Sequence, residues 1–155
     1  MTFHLAQLNV GRLHHPLDHE ASAEFERALD PINALAESSP GFVWRLTDDD
    51  GQSSSYVRLP GEDDPLLIVN FSIWEDLESL RHFVFKSGHA SYLRRRREWF
   101  QKSEEAYHVL WWTPAGTIPT LADAGERLDR LRAHGSTPDA MSFNQTVPPP
   151  NDPTT

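Results

Sequence analysis

The fold is decided by residues 66–74, which read LLIVNFSIW. The stretch is a nearly continuous apolar run and not a strict alternation, a pattern typical of a strand covered on both faces. Asn70 and Ser72 are its only polar members. We therefore expect a central β-strand here.

The segments on either side predict a β-α-β-β-α-β order. Alternating or apolar runs predict three more strands, at 3–10, 42–46 and 107–112, with Gly11 opening a turn after the first. Apolar residues at three- and four-residue steps predict helices at 18–36, 75–84, 89–102 and 120–134. This order is that of an α+β, ferredoxin-like unit: an antiparallel sheet with helices on one face, here followed by an extra C-terminal helix.

The second face of such a sheet also needs a cover. Trp44, Trp111 and Trp112 would leave a large apolar surface exposed on a solitary sheet. A second copy packed sheet against sheet would bury that surface, so we expect a homodimer.

Composition limits the class and the partners. The chain has 155 residues, which suits one domain, expected at 1–143, with a Pro-rich, loosely ordered tail at 144–155. Its formal charge of −9 disfavours nucleic acid, and its lack of cysteine excludes disulfides and thiolate sites. Without a signal-like start or an apolar run of membrane-spanning length, we expect a cytoplasmic protein that does not enter membranes.

At nearly full length, the sequence resembles the dimeric α/β-barrel superfamily, and within it an uncharacterised bacterial family known only as a domain of unknown function. The segments that carry the closer resemblance are 4–9 (HLAQLN), 39–46 (SPGFVWRL), 69–75 (VNFSIWE), 89–100 (HASYLRRRREWF) and 110–116 (LWWTPAG). The resemblance implies a dimeric barrel. It implies no single activity, because the superfamily includes haem-dependent oxygenases, cofactor-free monooxygenases, cyclases and decarboxylases.

A local resemblance raises a haem alternative. Haem-degrading monooxygenases of this superfamily carry an Asn on the first strand, a Trp, and a haem-ligating His at the start of the helix after the third strand. Asn9 and His89 resemble the first and last of these, whereas the position expected for the Trp falls near Ser79. In this alternative His89 is the axial ligand.

His89 and Arg96 are the main candidates for chemistry. Helical spacing places them on one face of the predicted helix at 89–102. His89 would be a general base or a ligand, or a helix-start histidine bonded to backbone or to its dimer mate. Arg96 would hold an anionic or enolate oxygen. Arg94, Arg95 and Arg97 point to other sides of the helix, and we expect them to be solvated or paired with acids.

Aromatic and amide side chains supply candidate pocket walls. The substrate-binding candidates are Trp44, Asn70, Tyr92, Trp99 and Trp111, and Asn9 joins His89 and Arg96 as a catalytic candidate. The tryptophans can equally form core or interface. Asn9 and Asn70 either orient a ligand or satisfy backbone groups.

The remaining motifs favour no metal or nucleotide site. His14, His15 and His19 cluster after the first strand, but Pro16 argues against a helix across them, and we expect an exposed loop. Hydrolase-elbow, P-loop and dinucleotide-binding glycine motifs do not occur.

Three functions remain open. The first is a small-molecule enzyme of the monooxygenase, isomerase or cyclase type, which acts on an apolar or aromatic substrate without a cofactor. The second is a haem-binding protein, and the third is a non-catalytic metabolite-binding module.

Overall fold

The structure is a computed structural model that describes residues 2–47, 58–86 and 94–150. Its sheet has four antiparallel strands in the order β2-β3-β1-β4. They are β1 (Phe3–Arg12), β2 (Phe42–Arg45), β3 (Leu67–Trp74) and β4 (His108–Pro114). This strand order with its helical crossovers confirms the α+β, ferredoxin-like fold, and the apolar run at 66–74 does form a central strand.

Four α-helices accompany the sheet in the described part of the chain. They are α1 (Ala23–Glu37), α2 (Leu77–Lys86), α3 (Arg96–Trp99) and α4 (Leu121–His134). The Thr120 hydroxyl caps α4 by accepting a hydrogen bond of 3.1 Å from the Asp123 backbone N–H. The helix predicted at 89–102 ends earlier than expected, because Phe100 is extended and forms a β-bridge with Leu13.

Helices α1 and α2 cover one face of the sheet. Leu5, Trp74 and Leu110 of the sheet pack there with buried residues of both helices, such as Ala36 and Leu80. Polar residues share this face farther along the strands, and there the layers enclose a cavity.

Helix α4, the predicted extra C-terminal helix, covers the other face, which the sequence did not assign to it. Ala124, Leu128 and Leu131 of α4 pack on a row of sheet residues that includes Trp111. Trp111 is 1% exposed within this single chain. Trp44 and Trp111 are thus covered by α4 within one chain, and the homodimer stays a prediction.

Strand β1 continues through Gly11, where the sequence predicted a turn. A Cβ atom at Gly11 would lie 2.5 Å from Cε1 of Phe100. Glycine therefore lets the Phe100 ring lie directly on the strand.

The chain after α4 returns along the outer edge of β4. The backbone N–H groups of Leu110 and Met141 each donate to the other's carbonyl, over 2.9 and 2.7 Å. Farther on, the Trp112 indole N–H donates to the Val147 carbonyl over 2.9 Å. The described part of the predicted loose tail, residues 144–150, is thus held to the sheet at Val147.

None of the helices in the described ranges is long and apolar enough to cross a bilayer.

Candidate functional site

A cavity of about 300 Å³ lies between the sheet and helices α1 and α2. This volume lies at the lower end of the range for small-molecule sites. Its walls are mostly apolar or aromatic. They include Phe25, Leu29, Ile32, Trp74, Leu80, Phe83, Val84, Trp99, Phe100, Tyr107 and Phe143. A planar apolar molecule suits such walls.

The floor of the cavity carries a hydrogen-bonded polar network centred on Gln7. The Gln7 amide nitrogen donates to Asn70 Oδ1 and to Ser72 Oγ, each over 2.7 Å. Ser72 Oγ also accepts the indole N–H of Trp74 over 2.9 Å. Gln7 Oε1 lies 3.0 Å from Nε2 of His108.

The directions of these bonds define which protons the network can offer. A Gln carbonyl oxygen only accepts, so Nε2 of His108 carries a proton, and the lone pair of neutral His108 lies on Nδ1. Ser72 Oγ accepts two bonds, and no described residue accepts its own hydroxyl proton. The floor therefore presents a hydroxyl donor and an oriented imidazole to the cavity contents.

Arg96 is the one cation in the described lining of the cavity, and that lining contains no carboxylate. Its guanidinium lies between the rings of Phe100 and Tyr107, 4.5 Å from each ring centroid. Burial lowers the pKa of Arg96 from its usual value, against a smaller raising effect of Tyr107. An arginine nevertheless stays charged at neutral pH, so the cavity carries a cation with no described counter-ion.

Gly11 allows this placement of Arg96. A Cβ atom at position 11 would lie 3.2 Å from Nη2 of Arg96, in addition to its overlap with Phe100. Because Gly11 has no side chain, the side chains of Arg96 and Phe100, at the two ends of α3, can both lie against β1.

Asn33 of α1 is a further polar residue in the cavity lining. Its Nδ2 is buried and has no hydrogen-bond partner among the described residues. A buried amide donor without an acceptor is destabilising and rare in native structures. An acceptor atom of a ligand would meet this amide only after the Asn33 side chain turned toward the cavity, because Nδ2 is buried.

Residues 4–155 of the sequence match the family described as Domain of unknown function (DUF3291). The chain belongs to this family. The resemblance that was drawn from the five sequence segments is thereby confirmed.

Solved structures similar to this DUF3291 chain include SnoaB, a cofactor-independent oxygenase from Streptomyces nogalater. It is 21% identical, with a TM-score of 0.47, and the match covers 76% of this chain and 98% of SnoaB. A single-substitution variant of SnoaB matches with 20% identity, the same coverage and a TM-score of 0.49. PA3566 from Pseudomonas aeruginosa is 16% identical, with a TM-score of 0.47 and coverage of 73% and 94%. Among curated proteins there is no significant match.

The cavity of the DUF3291 chain brings together four of the residues proposed from the sequence. Asn9, Asn70, Arg96 and Trp99 all line it. Asn9 lies opposite both Asn70 and His108 in the sheet register, which places the two amides and the imidazole side by side.

Two of the proposed wall residues lie elsewhere. Trp44 and Trp111 sit on the sheet face covered by α4, where each contacts the Phe71 ring, at centroid distances of 5.2 and 5.9 Å. Strand register causes this, because Trp44, Ile73, Ala6 and Trp111 form one row across the sheet. Both pack on that face with α4, and neither lines the main cavity.

His89 and Tyr92 lie outside the described residues. Their predicted roles as acid–base group and pocket wall stay predictions. The same holds for haem, since that alternative depends on His89 as axial ligand.

Sequence reasoning missed Gln7, Ser72, His108 and Asn33. The first two share their strand face with Asn9 and Asn70, at two-residue spacing, which is a detectable signal for a polar patch on one side of a sheet. His108 carries no such signal at the start of its strand, and Asn33 is one of several polar residues in the amphipathic helix α1, so nothing singles it out.

The histidines after β1 interact with one another and with the backbone. His15 and His19 stack at 4.4 Å, and Nδ1 of His19 accepts the Ala21 backbone N–H over 2.9 Å. Nε2 of His14 lies 3.2 Å from the Arg97 carbonyl oxygen. In the described ranges, three or more His, Asp or Glu residues nowhere converge as a metal site would require.

Proposed function

We propose that this protein is a small-molecule enzyme that binds a planar, largely aromatic compound bearing an oxygen anion and transfers a proton on it without a nucleotide cofactor. The observation that carries the proposal is the guanidinium of Arg96, which faces an aromatic cavity with no carboxylate in its described lining.

Arg96 supports the anionic part of the proposal. A partly buried charge is costly unless a counter-charge or hydrogen bonds compensate it. Its Cζ lies 4.5 Å from the ring centroids of Phe100 and Tyr107, and aromatic rings do not use up the hydrogen-bonding capacity of its N–H groups, so we assign these groups to a ligand. Such edges match carboxylate, phenolate or enolate oxygens.

Proton transfer is assigned to His108. Its Nε2 lies 3.0 Å from Gln7 Oε1, a contact that orients the imidazole in the cavity lining. A carbanion formed by this base would delocalise onto an adjacent oxygen as an enolate. Arg96 and the amide of Asn9 are the groups that would stabilise that oxygen. His89 remains a second candidate for the acid–base role.

Binding is tested with two probes of nearly the same shape and different charge. 8-Anilinonaphthalene-1-sulfonate is an aromatic anion, and N-phenyl-1-naphthylamine is its neutral counterpart; both fluoresce in apolar sites. We expect the wild-type protein to prefer the anion. Arg96→Met should lower the affinity for the anionic probe by about tenfold to a hundredfold and leave the affinity for the neutral probe unchanged.

The matched control is Arg97→Met, because Arg97 lies next to Arg96 and is exposed outside the cavity lining. Equal losses in both variants, or no preference in the wild type, would contradict the anion site.

Turnover is tested by deuterium exchange at the acidic C1 position of 2-tetralone, followed by NMR in D₂O. The wild type should accelerate exchange. His108→Gln should slow the exchange by about 10²- to 10⁴-fold and Arg96→Met by about 10²- to 10³-fold. The loss can be no larger than the acceleration by the wild type, because the uncatalysed exchange remains. Binding that depends on Arg96 without any exchange would instead identify a non-catalytic binding module.

A further inference from the structure

A second, smaller cavity of about 80 Å³ adjoins the first on the other side of Arg96. Gly11, Arg96 and Tyr107 line both cavities, so Arg96 forms part of the wall between them. The volume admits a group of a few heavy atoms and excludes an aromatic ring system.

Basic side chains dominate the lining of this second cavity. Its charged members are Arg12, Arg96, Lys102, Glu105 and Arg132. Four cations and one carboxylate at this place contrast with the formal charge of −9 of the whole chain. Concave clusters of one sign attract ligands of the opposite sign.

Part of this positive charge is already compensated. Arg12 pairs with Asp64 at 2.6 Å, and Arg132 lies 3.6 Å from Glu105 while donating to the Ala106 carbonyl. Lys102 and Arg96 have no carboxylate within ion-pair distance among the residues that the structure describes. Two cations therefore remain for a ligand.

We propose that the second cavity is an oxyanion subsite that takes a phosphate-type group, either free or as the end of a larger ligand. Lys102 and the outer edge of Arg96 contact the oxyanion directly, with Arg132 beside them. The Ser103 hydroxyl in the same lining already donates to the Glu105 carbonyl over 2.9 Å, so the cations alone hold the oxyanion. This subsite does not depend on catalysis in the main cavity.

The test is calorimetric titration of the protein with inorganic phosphate at low ionic strength, with chloride at matched ionic strength as the comparison. We expect phosphate to bind and chloride not to compete at equal concentration. The double variant Lys102→Gln/Arg132→Gln should lower the affinity for phosphate by about tenfold. The loss is no larger because each contact is partly exposed to solvent. Arg130→Gln, an exposed change on α4 outside the lining, should have no effect.

A third variant guards against loss of folding in the double variant. Glu105→Gln removes the only carboxylate of this lining and should tighten phosphate binding by about twofold to fivefold. Absent phosphate binding, or binding that none of these changes alters, would overturn the subsite.

Failure of this proposal and failure of the proposed function can be told apart. The double variant should retain the preference for the anionic naphthalene probe, because Arg96 is intact in it. Arg96→Met should lower the affinity for phosphate and the affinity for the anionic probe.

Discussion

Replacement of Asn33 by leucine should make the protein more stable and less able to act on a ligand. Nδ2 of Asn33 is buried without a partner among the described residues, in the wall of the main cavity. An unsatisfied buried donor costs about 1–3 kcal/mol. Leucine is similar in volume and needs no acceptor, so we expect the free energy of unfolding to rise by about 1–2 kcal/mol.

Part of such a gain would come from helix propensity alone. Asn33 lies inside α1, and leucine is a better helix former than asparagine by about 0.5 kcal/mol. The exposed position Ala34 on the same helix supplies the control. The difference in stability between Ala34→Leu and Ala34→Asn measures the propensity contribution, which is then subtracted.

Urea unfolding followed by tryptophan fluorescence gives the free energies. A rise of 1 kcal/mol corresponds to about 2–4 °C in Tm for a chain of this size. The same variant should lose tetralone exchange if the amide is reserved for a ligand. A corrected stability that is unchanged or lower would refute the reasoning, because it would mean that the amide already has a partner in the folded protein.

The other predictions concern the core, the strand under Arg96 and the surface ion pairs. Leu128→Ala should lower the free energy of unfolding by about 2–5 kcal/mol, since Leu128 of α4 is 1% exposed where the helix packs on the sheet. Urea unfolding checks this loss, and a loss below about 1 kcal/mol would contradict the packing of α4 on the sheet. Gly11→Ala should cost about 1–3 kcal/mol and reduce the preference for the anionic probe, because the new methyl group displaces Phe100; a neutral effect on both would contradict this placement. Arg95→Gln should raise the pKa of Glu24, which hydrogen bonds from Arg95 now hold below the usual value. Because the pKa of Glu24 is lower in the folded than in the unfolded protein, the stability that this group contributes is present above the unfolded pKa and is lost as pH falls through the folded pKa. The variant should therefore lose less stability on acidification. An NMR titration that gives an unchanged Glu24 pKa in the variant would contradict the pairing.

Much of the fold was predictable because it rests on local patterns. The apolar run at 66–74 and the three- and four-residue spacing in the helices depend only on neighbouring residues. The docking of α4 depends on where the chain returns, which its apolar stripe does not specify. The stripe was recognised, but its partner, the sheet face around Trp111, was assigned to a second copy.

The candidate site was less predictable because it depends on strand register. Arg96 could be placed by helical spacing alone. Trp44 and Trp111 could not, since a shift of one residue moves a strand side chain to the opposite face of the sheet. Register also brings His108 beside Asn9, which are 99 positions apart in the sequence.

The most direct test of the central claim is the affinity of wild type and Arg96→Met for the anionic and neutral naphthalene probes. We predict that wild type prefers the anion and that the variant loses this preference while it binds the neutral probe as before. A variant that keeps the preference would show that Arg96 does not hold the ligand's charge, and the assignment of the cavity to anionic aromatic compounds would be wrong.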